Sequence, residues 1–316
     1  MTQILRLKND RVLRFDRMEM MGIVNVTPDS FYAGSRMMKE EGSQMDDDGG
    51  SGASGASDGA GASGGSGLEA AYEAAFAKAG QHIAEGAVMI DVGGESTRPG
   101  SAPVTGDEEI ARICPVIERI RTEYPQIVIS ADTYRAETAR AALQAGADLI
   151  NDISGLTFEP DLADVVAKAG AGIILMHTGG RPDTMQNDPY YDDVVEEVYE
   201  FLQRQMDFAR EHGIGRDQIM IDMGIGFGKT REHNLQLLRS IDRFAELGCP
   251  HLLAVSRKSF IGSTLGRQDP EERLPGTLAV TAFAAQHGIA AARVHDVREN
   301  LDAARMAEAL TEEQSR

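Results

Sequence analysis

Short apolar runs that end abruptly in a polar residue recur along the whole chain. Met20 to Val26 carries Asn25, Val88 to Val92 carries Asp91, Ile127 to Ala131 runs into Asp132, and Leu149-Ile150 runs into Asn151 and Asp152. Gly172 to Met176 ends at His177, Ile219 to Ile221 at Asp222, and Leu252 to Val255 at Ser256-Arg257-Lys258-Ser259, while Ala291 to Val294 carries Arg293 and meets His295. Apolar runs without alternation mark strands buried on both faces of a parallel sheet. Between them lie segments of helical pattern: Leu68 to Glu85, with Leu68, Ala71, Ala75, Ala79 and Ile83 on one face; Thr105 to about Tyr124, opened by Thr105 and Glu108 at capping-box spacing; Arg135 to Ala145; Asp161 to Ala169; Val194 to Glu211; and Glu299 to Leu310. Strands and helices that alternate eight times predict one α/β domain, a (β/α)8 TIM barrel spanning 1–316, over an open doubly wound sheet. Alternating segments around Asn9-Asp10, within residues 1–18, predict a β-hairpin that covers one end of the core.

One stretch breaks the pattern. From Gly49 to Gly67 only Gly, Ser, Ala and Asp occur, preceded by Asp46, Asp47 and Asp48. Such a segment cannot bury enough apolar surface to offset its ordering entropy, so residues 36–67 are expected to be a disordered insert in the first βα loop. The acidic triplet lacks the spacing and closing Glu of a calcium loop.

Composition narrows the partners. Fifty acidic against 31 basic residues give a formal charge of −19, which argues against nucleic acid or an anionic membrane surface. No run approaches the roughly 18 apolar residues of a membrane span. The first residues lack the apolar core of a signal peptide, so a cytoplasmic protein is expected. Cys114 and Cys249 each precede a proline among apolar residues and read as buried thiols, not a disulfide or metal pair.

In a barrel of this kind the C-terminal strand ends share one rim. Asn25, Asp91, Asp132, Asn151, His177, Asp222, Lys258, Arg293 and His295 are therefore expected to converge there. Asp132, Asn151 and Asp222 offer short carboxylate and amide groups that suit the N–H edge of a flat heterocycle; the plain alternative is helix capping. Arg98, Lys258, Arg293 and His295, with Asn25, suit phosphate-like charge, with Mg²⁺ bridging to Asn25. Ser256 to Ser259 opens a helix, so two cations and free N–H groups are expected to receive an anion there. His177 reads equally well as structural, and no spacing supports zinc. The turn Gly224 to Thr230 fails both nucleotide fingerprints, because Met223 stands where a Walker motif needs Gly and the dinucleotide pattern lacks its third Gly. Its glycines fit a tight turn with close backbone approach to a ligand.

The blocks MGIVNVTPDSF, IDVGGESTRPGS, SADTYRAETA, INDISG, LMH with RPDTMQ, GIGFGK, VSRKSFIG and RVHDV occur in that order from about Met21 to Val297. Together they resemble the dihydropteroate synthase family of pterin-binding enzymes. The resemblance implies a transferase that condenses a dihydropterin methyl diphosphate with 4-aminobenzoate, releasing pyrophosphate, on the folate pathway. It also implies Mg²⁺, a homodimer formed through outer helices, and a site for sulfonamide-type mimics of aminobenzoate. Carried over by motif, Asp132, Asn151, Asp222, Lys258 and Arg293 hold the pterin, and Asp132, Asp222, Lys258 and Arg293 act in catalysis. Asn25, Arg98, Arg293 and His295 match the diphosphate positions, Asn25 the metal position, and Thr97, Pro99, Phe227 and Ser259 the aminobenzoate positions.

Two positions depart from the family pattern. Ala33 stands where the first loop usually has a second acid, with the Asp46 to Asp48 triplet as a candidate substitute, and Met223 replaces a usual Pro. Two rivals are a corrinoid-linked pterin methyltransferase, which would not need the Arg98 loop or Ser256 to Ser259, and a non-catalytic pterin-binding regulator, favoured only by Ala33 and the insert.

Overall fold

The computed structural model describes residues 3–26, 64–96 and 104–311, with side chains from residue 68 onward in the second stretch. Thr97, Arg98, Pro99, Ala33 and the insert up to residue 63 lie outside the described residues.

The chain begins with the expected hairpin, β1 (Gln3–Arg6) against β2 (Val12–Phe15), antiparallel with Gln3 opposite Phe15. Asn9 and Asp10 take left-handed backbone angles at its tip, a conformation their short polar side chains tolerate. Eight parallel strands follow: β3 (Glu19–Asn25), β4 (Met89–Gly93), β5 (Val128–Asp132), β6 (Leu149–Asp152), β7 (Gly172–Met176), β8 (Ile219–Asp222), β9 (Leu252–Leu253) and β10 (Ala291–Val294). Each of β3 to β7 pairs with the next, β10 lies between β3 and β9, and a bridge from Ile221 to His251 brings β8 to β9 and completes the ring.

Helices α1 (Gly64–Ala84), α2 (Gly106–Glu123), α3 (Ala136–Ala145), α4 (Leu162–Ala169) and α5 (Val194–Glu211) alternate with the strands as expected. Thr105 caps α2 by accepting from the Glu108 N–H. Five elements differ from expectation. Gly64 to Gly67, which composition assigns to the insert, form the first turn of α1, since extending an existing helix costs little. On α1, Leu68 is exposed and His82 is buried beside Ala75 and Ala79, so the core face is rotated toward His82. β9 is two residues long because the Val255 carbonyl is diverted into a turn, accepting from the Lys258 N–H. α6 (Arg231–Arg239), α7 (Ile241–Ala245) and α9 (Leu274–Gln286), which flank the short α8 (Ser259–Leu265), were not evident from periodicity. α9 carries Leu, Val, Ala and Phe around its whole circumference, so no stripe announces it. α10 (Val297–Thr311) closes the chain.

Two apolar clusters hold these layers. The larger lies between strands and helices. The smaller fills the lower barrel interior, where Leu5, Leu7 and Phe15 of the hairpin pack against Met21, Met89, Leu149, Ile174, Met220 and Leu252. The hairpin is thus a floor, and polar strand ends are confined to the opposite rim. Cys114 and Cys249 are unpaired thiols, and burial pushes Cys249 up to about 12.

Candidate active site

The rim is built around one arginine. Arg293 sits on β10 opposite Met21, two residues below the level at which Ile23 pairs with Asp91, so its long side chain rises through the barrel. Its Nε donates to Asp91 Oδ2 at 2.6 Å and its Nη2 to Asp132 Oδ2 at 2.6 Å. Asn151 Nδ2 also donates to Asp91 Oδ2, at 3.2 Å. Residues from four strands therefore meet within hydrogen-bonding reach. Asp91 is fully buried, and its Oδ1 has no partner among the described residues.

Two carboxylates share one guanidinium, leaving a net negative charge in a dry environment. Burial raises the Asp132 carboxyl to about 7; Arg293 opposes the rise and Asp91 adds to it. Burial works against the charge of Arg293, but Asp91 and Asp132 hold it protonated above its usual range.

The second half of the rim is centred on Lys258. Arg257 adopts φ +56°, a left-handed angle that costs a side-chain residue about 1–2 kcal/mol, and the two cations separate there. Arg257 binds Asp296 at 2.7 Å and also Glu271. Lys258 instead reaches the Ile225 carbonyl, with its Nζ 4.8 Å from the centre of the Phe227 ring. The paired-cation anion site expected at the start of α8 is therefore corrected: Arg257 is neutralised by carboxylates, and only Lys258 faces the mouth. Burial lowers the Lys258 ammonium to about 8, against the pull of Asp222. Burial likewise raises Asp222, whose Oδ1 accepts from the Gly224 N–H at 2.7 Å, so this acid also shapes its own turn.

The remaining expected residues fall as follows. Asn25 ends β3 and pairs in register with Gly93, which pairs with Asp132 and so with Asn151, placing these polar ends in one row. His295 Nδ1 lies 3.0 Å from Ser256 Oγ. Ser259 is exposed at the first position of α8. Phe227 is half-buried at the tip of the turn after β8. His177 belongs to the scaffold: its ring meets Phe201 edge to face at 4.8 Å, and its Nδ1 lies 2.9 Å from Lys229 Nζ. Asp152 is also structural, accepting from the N–H groups of Ser154 and Leu156. Asp132 caps no helix, because the start of α3 is satisfied by Thr133 and Glu159. Arg135, just after β5, binds Glu95 at 2.6 Å and the Val104 carbonyl at 2.8 Å.

Asp91 was expected on the rim but without a partner or part in binding, and Lys229 only as part of the glycine-rich turn. Their signals were present: Asp91 is a charge inside an apolar strand, and Lys229 closes a glycine-rich turn.

The chain and its fold have known relatives. Residues 62–295 match the family model described as pterin binding enzyme. The dihydropteroate synthase of Synechocystis sp. is 43% identical over 294 residues, covering 93% of this chain and 90% of that protein. The chain belongs to the dihydropteroate synthase family. The Escherichia coli K12 dihydropteroate synthase is 39% identical, with 92% of this chain and 90% of that one covered. Among solved structures, the Xanthomonas albilineans dihydropteroate synthase with 4-aminobenzoic acid superposes with a TM-score of 0.82 at 38% identity, covering 99% of this chain and 100% of that one. The same enzyme with 7,8-dihydropteroate gives 0.77 at 36% identity, covering 98% and 99%. The Yersinia pestis dihydropteroate synthase with a sulfonamide drug gives 0.80 at 35%, covering 96% and 98%. The chain is a transferase of this family.

Proposed function

We propose that this chain condenses (7,8-dihydropterin-6-yl)methyl diphosphate with 4-aminobenzoate, forming 7,8-dihydropteroate and pyrophosphate for folate biosynthesis. The observation that carries the residue assignment is the meeting of Arg293, Asp132, Asn151 and Asp91 from four strands at one buried point.

In this reading Asp132, Asn151 and Asp222 accept and donate along the pterin edge, and Lys258 supplies a further donor. Arg293 exchanges part of its contact with Asp132 for the ligand and closes over the ring. The C–O bond to the diphosphate breaks with its electron pair leaving on pyrophosphate, and the pterin methylene becomes cationic. Buried carboxylates stabilise that cation, and the enclosed barrel mouth keeps water from it. The aniline nitrogen attacks as the free amine, the C–N bond forms, and the nitrogen then passes its proton to the released pyrophosphate. Ser259, Phe227, Thr97 and Pro99 receive the aminobenzoate; Asn25, Arg98, Arg293 and His295 receive the diphosphate.

Mg²⁺ fits this rim in one way only. No cluster of three or more His, Cys, Asp or Glu side chains among the described residues is placed to cage a metal, whereas Asn25 offers one neutral oxygen at a strand end. That donor set suits an ion held chiefly by substrate phosphates and water. When bound, it would neutralise charge on the departing diphosphate.

A homodimer belongs to the same proposal. Phe283 on α9 and Met306 and Leu310 on α10 are exposed, Met306 at 59% and Leu310 at 70%, and we place the contact on these two outer helices. No helix among the described residues is long and apolar enough to cross a membrane, and a cytoplasmic location is part of the proposal. Pyrophosphate release on mixing both substrates with Mg²⁺ tests the reaction. Neither a corrinoid-linked methyltransferase nor an idle pterin binder would release it.

A further inference from the structure

The turn after β8 is held in an unusual way. Its five consecutive carbonyls, Gly224 to Gly228, each accept from a side chain: Lys229, Lys258, Gln186, Lys229 again, and Tyr191. Lys229 is the only one of these donors that serves two of them. Its Nζ lies 2.9 Å from the Gly224 oxygen, 3.0 Å from the Phe227 oxygen and 2.9 Å from His177 Nδ1, so its three N–H bonds are all directed to partners. His177 follows β7, so this ammonium ties two strand-end loops together. The loops touch backbone to backbone. A Cβ at Gly224 would lie 1.8 Å from the His177 carbonyl oxygen, and one at Gly228 would lie 2.6 Å from the Gly179 Cα. Both glycines also have left-handed φ, so neither substitution nor relaxation separates the loops cheaply.

A buried ammonium with no carboxylate in hydrogen-bonding contact is costly, and burial lowers Lys229 to about 7. Its neighbour His177 is held neutral by burial and by Lys229, which leaves Nδ1 as an acceptor. Such an arrangement persists when it fixes something else. What it fixes is Phe227, whose backbone it grips and whose ring faces Lys258.

We infer that Lys229 is the positioning residue that sets Phe227 against the aminobenzoate, by fastening the post-β8 turn to the end of β7. The inference rests on the proposed placement of aminobenzoate beside Phe227. Lys229 touches neither substrate. Its loss frees the Phe227 carbonyl directly, whereas Asp222 keeps the Gly224 N–H and Lys258 keeps the Ile225 carbonyl, so the effect falls chiefly on aminobenzoate.

The test uses the full chain. Lys229→Met keeps an unbranched side chain one atom shorter and removes its donors. The expected result is a KM for 4-aminobenzoate raised about tenfold, the loss of roughly one well-made hydrogen bond. The calorimetric Kd for the pterin diphosphate and kcat should each change less than about twofold. Tyr191→Phe, which removes only the donor to Gly228, should shift the same KM in the same direction by a smaller factor, and it serves where Lys229→Met does not fold. An unchanged KM in the variants, or equal weakening of both substrates, overturns the inference. A parent protein that releases no pyrophosphate sinks the proposed reaction instead. Amide exchange over residues 223–228 then decides: faster exchange in the variant upholds the fastening, and equal exchange overturns it.

Discussion

Asp91→Asn probes the shared-arginine arrangement most directly. In the parent, Asp91 Oδ2 accepts from Arg293 at 2.6 Å and from Asn151 at 3.2 Å, while Oδ1 has no described partner. An asparagine retains one acceptor for Arg293 but puts an NH2 group where Oδ1 was, with nothing there to receive it. The ion pair with Arg293 becomes a charge–dipole hydrogen bond, a loss of about 1 kcal/mol from the about 1.5–3 kcal/mol of a bond to a charged group, and an unmatched buried donor costs about 1–3 kcal/mol. The variant should therefore lose about 2–4 kcal/mol, read as a lower urea midpoint at unchanged slope. A second signature follows from Asp132. Its carboxyl titrates near 7 when folded against 3.8 when unfolded, so between about pH 4 and 7 the native state holds more protons and stability falls as pH rises. Burial is the main cause of that raised value, and the negative charge of Asp91 adds to it. Without that charge, Asp132 ionises at lower pH and less stability is lost across the window. Pterin binding should weaken too, because Arg293 then has a single carboxylate to hold and releases Asp132 less readily. A variant within about 0.5 kcal/mol of the parent, with the same pH slope, would refute this account of the rim.

Three further outcomes are expected. Ser259→Ala should raise the KM for aminobenzoate several-fold, by about the worth of one hydrogen bond, and leave that for the pterin substrate; equal effects would remove Ser259 from the second pocket. His251 is buried at the barrel seam with both ring nitrogens unpartnered among the described residues, and burial lowers it to about 4. Its unfolded value near 6.5 means stability is lost as pH falls from about 6.5 toward 4, so His251→Leu should flatten that acid limb and gain about 1–3 kcal/mol near pH 5, followed by acid denaturation. Phe283→Asp with Met306→Asp should turn a dimer into monomers in sedimentation, and a parent that sediments as a monomer would dispose of the proposed interface.

Barrel and rim are legible in the chain alone. Strands buried on both faces must be continuous in apolar residues, so their polar ends stand out, and a parallel barrel puts all those ends on one side. Asp132, Asn151, Asp222, Lys258 and Arg293 were legible for that reason, and so was the hairpin floor. Only the tertiary structure decided which charges oppose which. Arg293 and Asp91 are 202 positions apart, and Lys229 meets His177 across 52; no local pattern encodes such pairings. The same holds for Arg257, which reads as a free cation beside Lys258 until the fold supplies Asp296 and Glu271. Periodicity reports the side on which a residue is buried. The identity of its partner depends on strand register and barrel closure, which are properties of the whole chain.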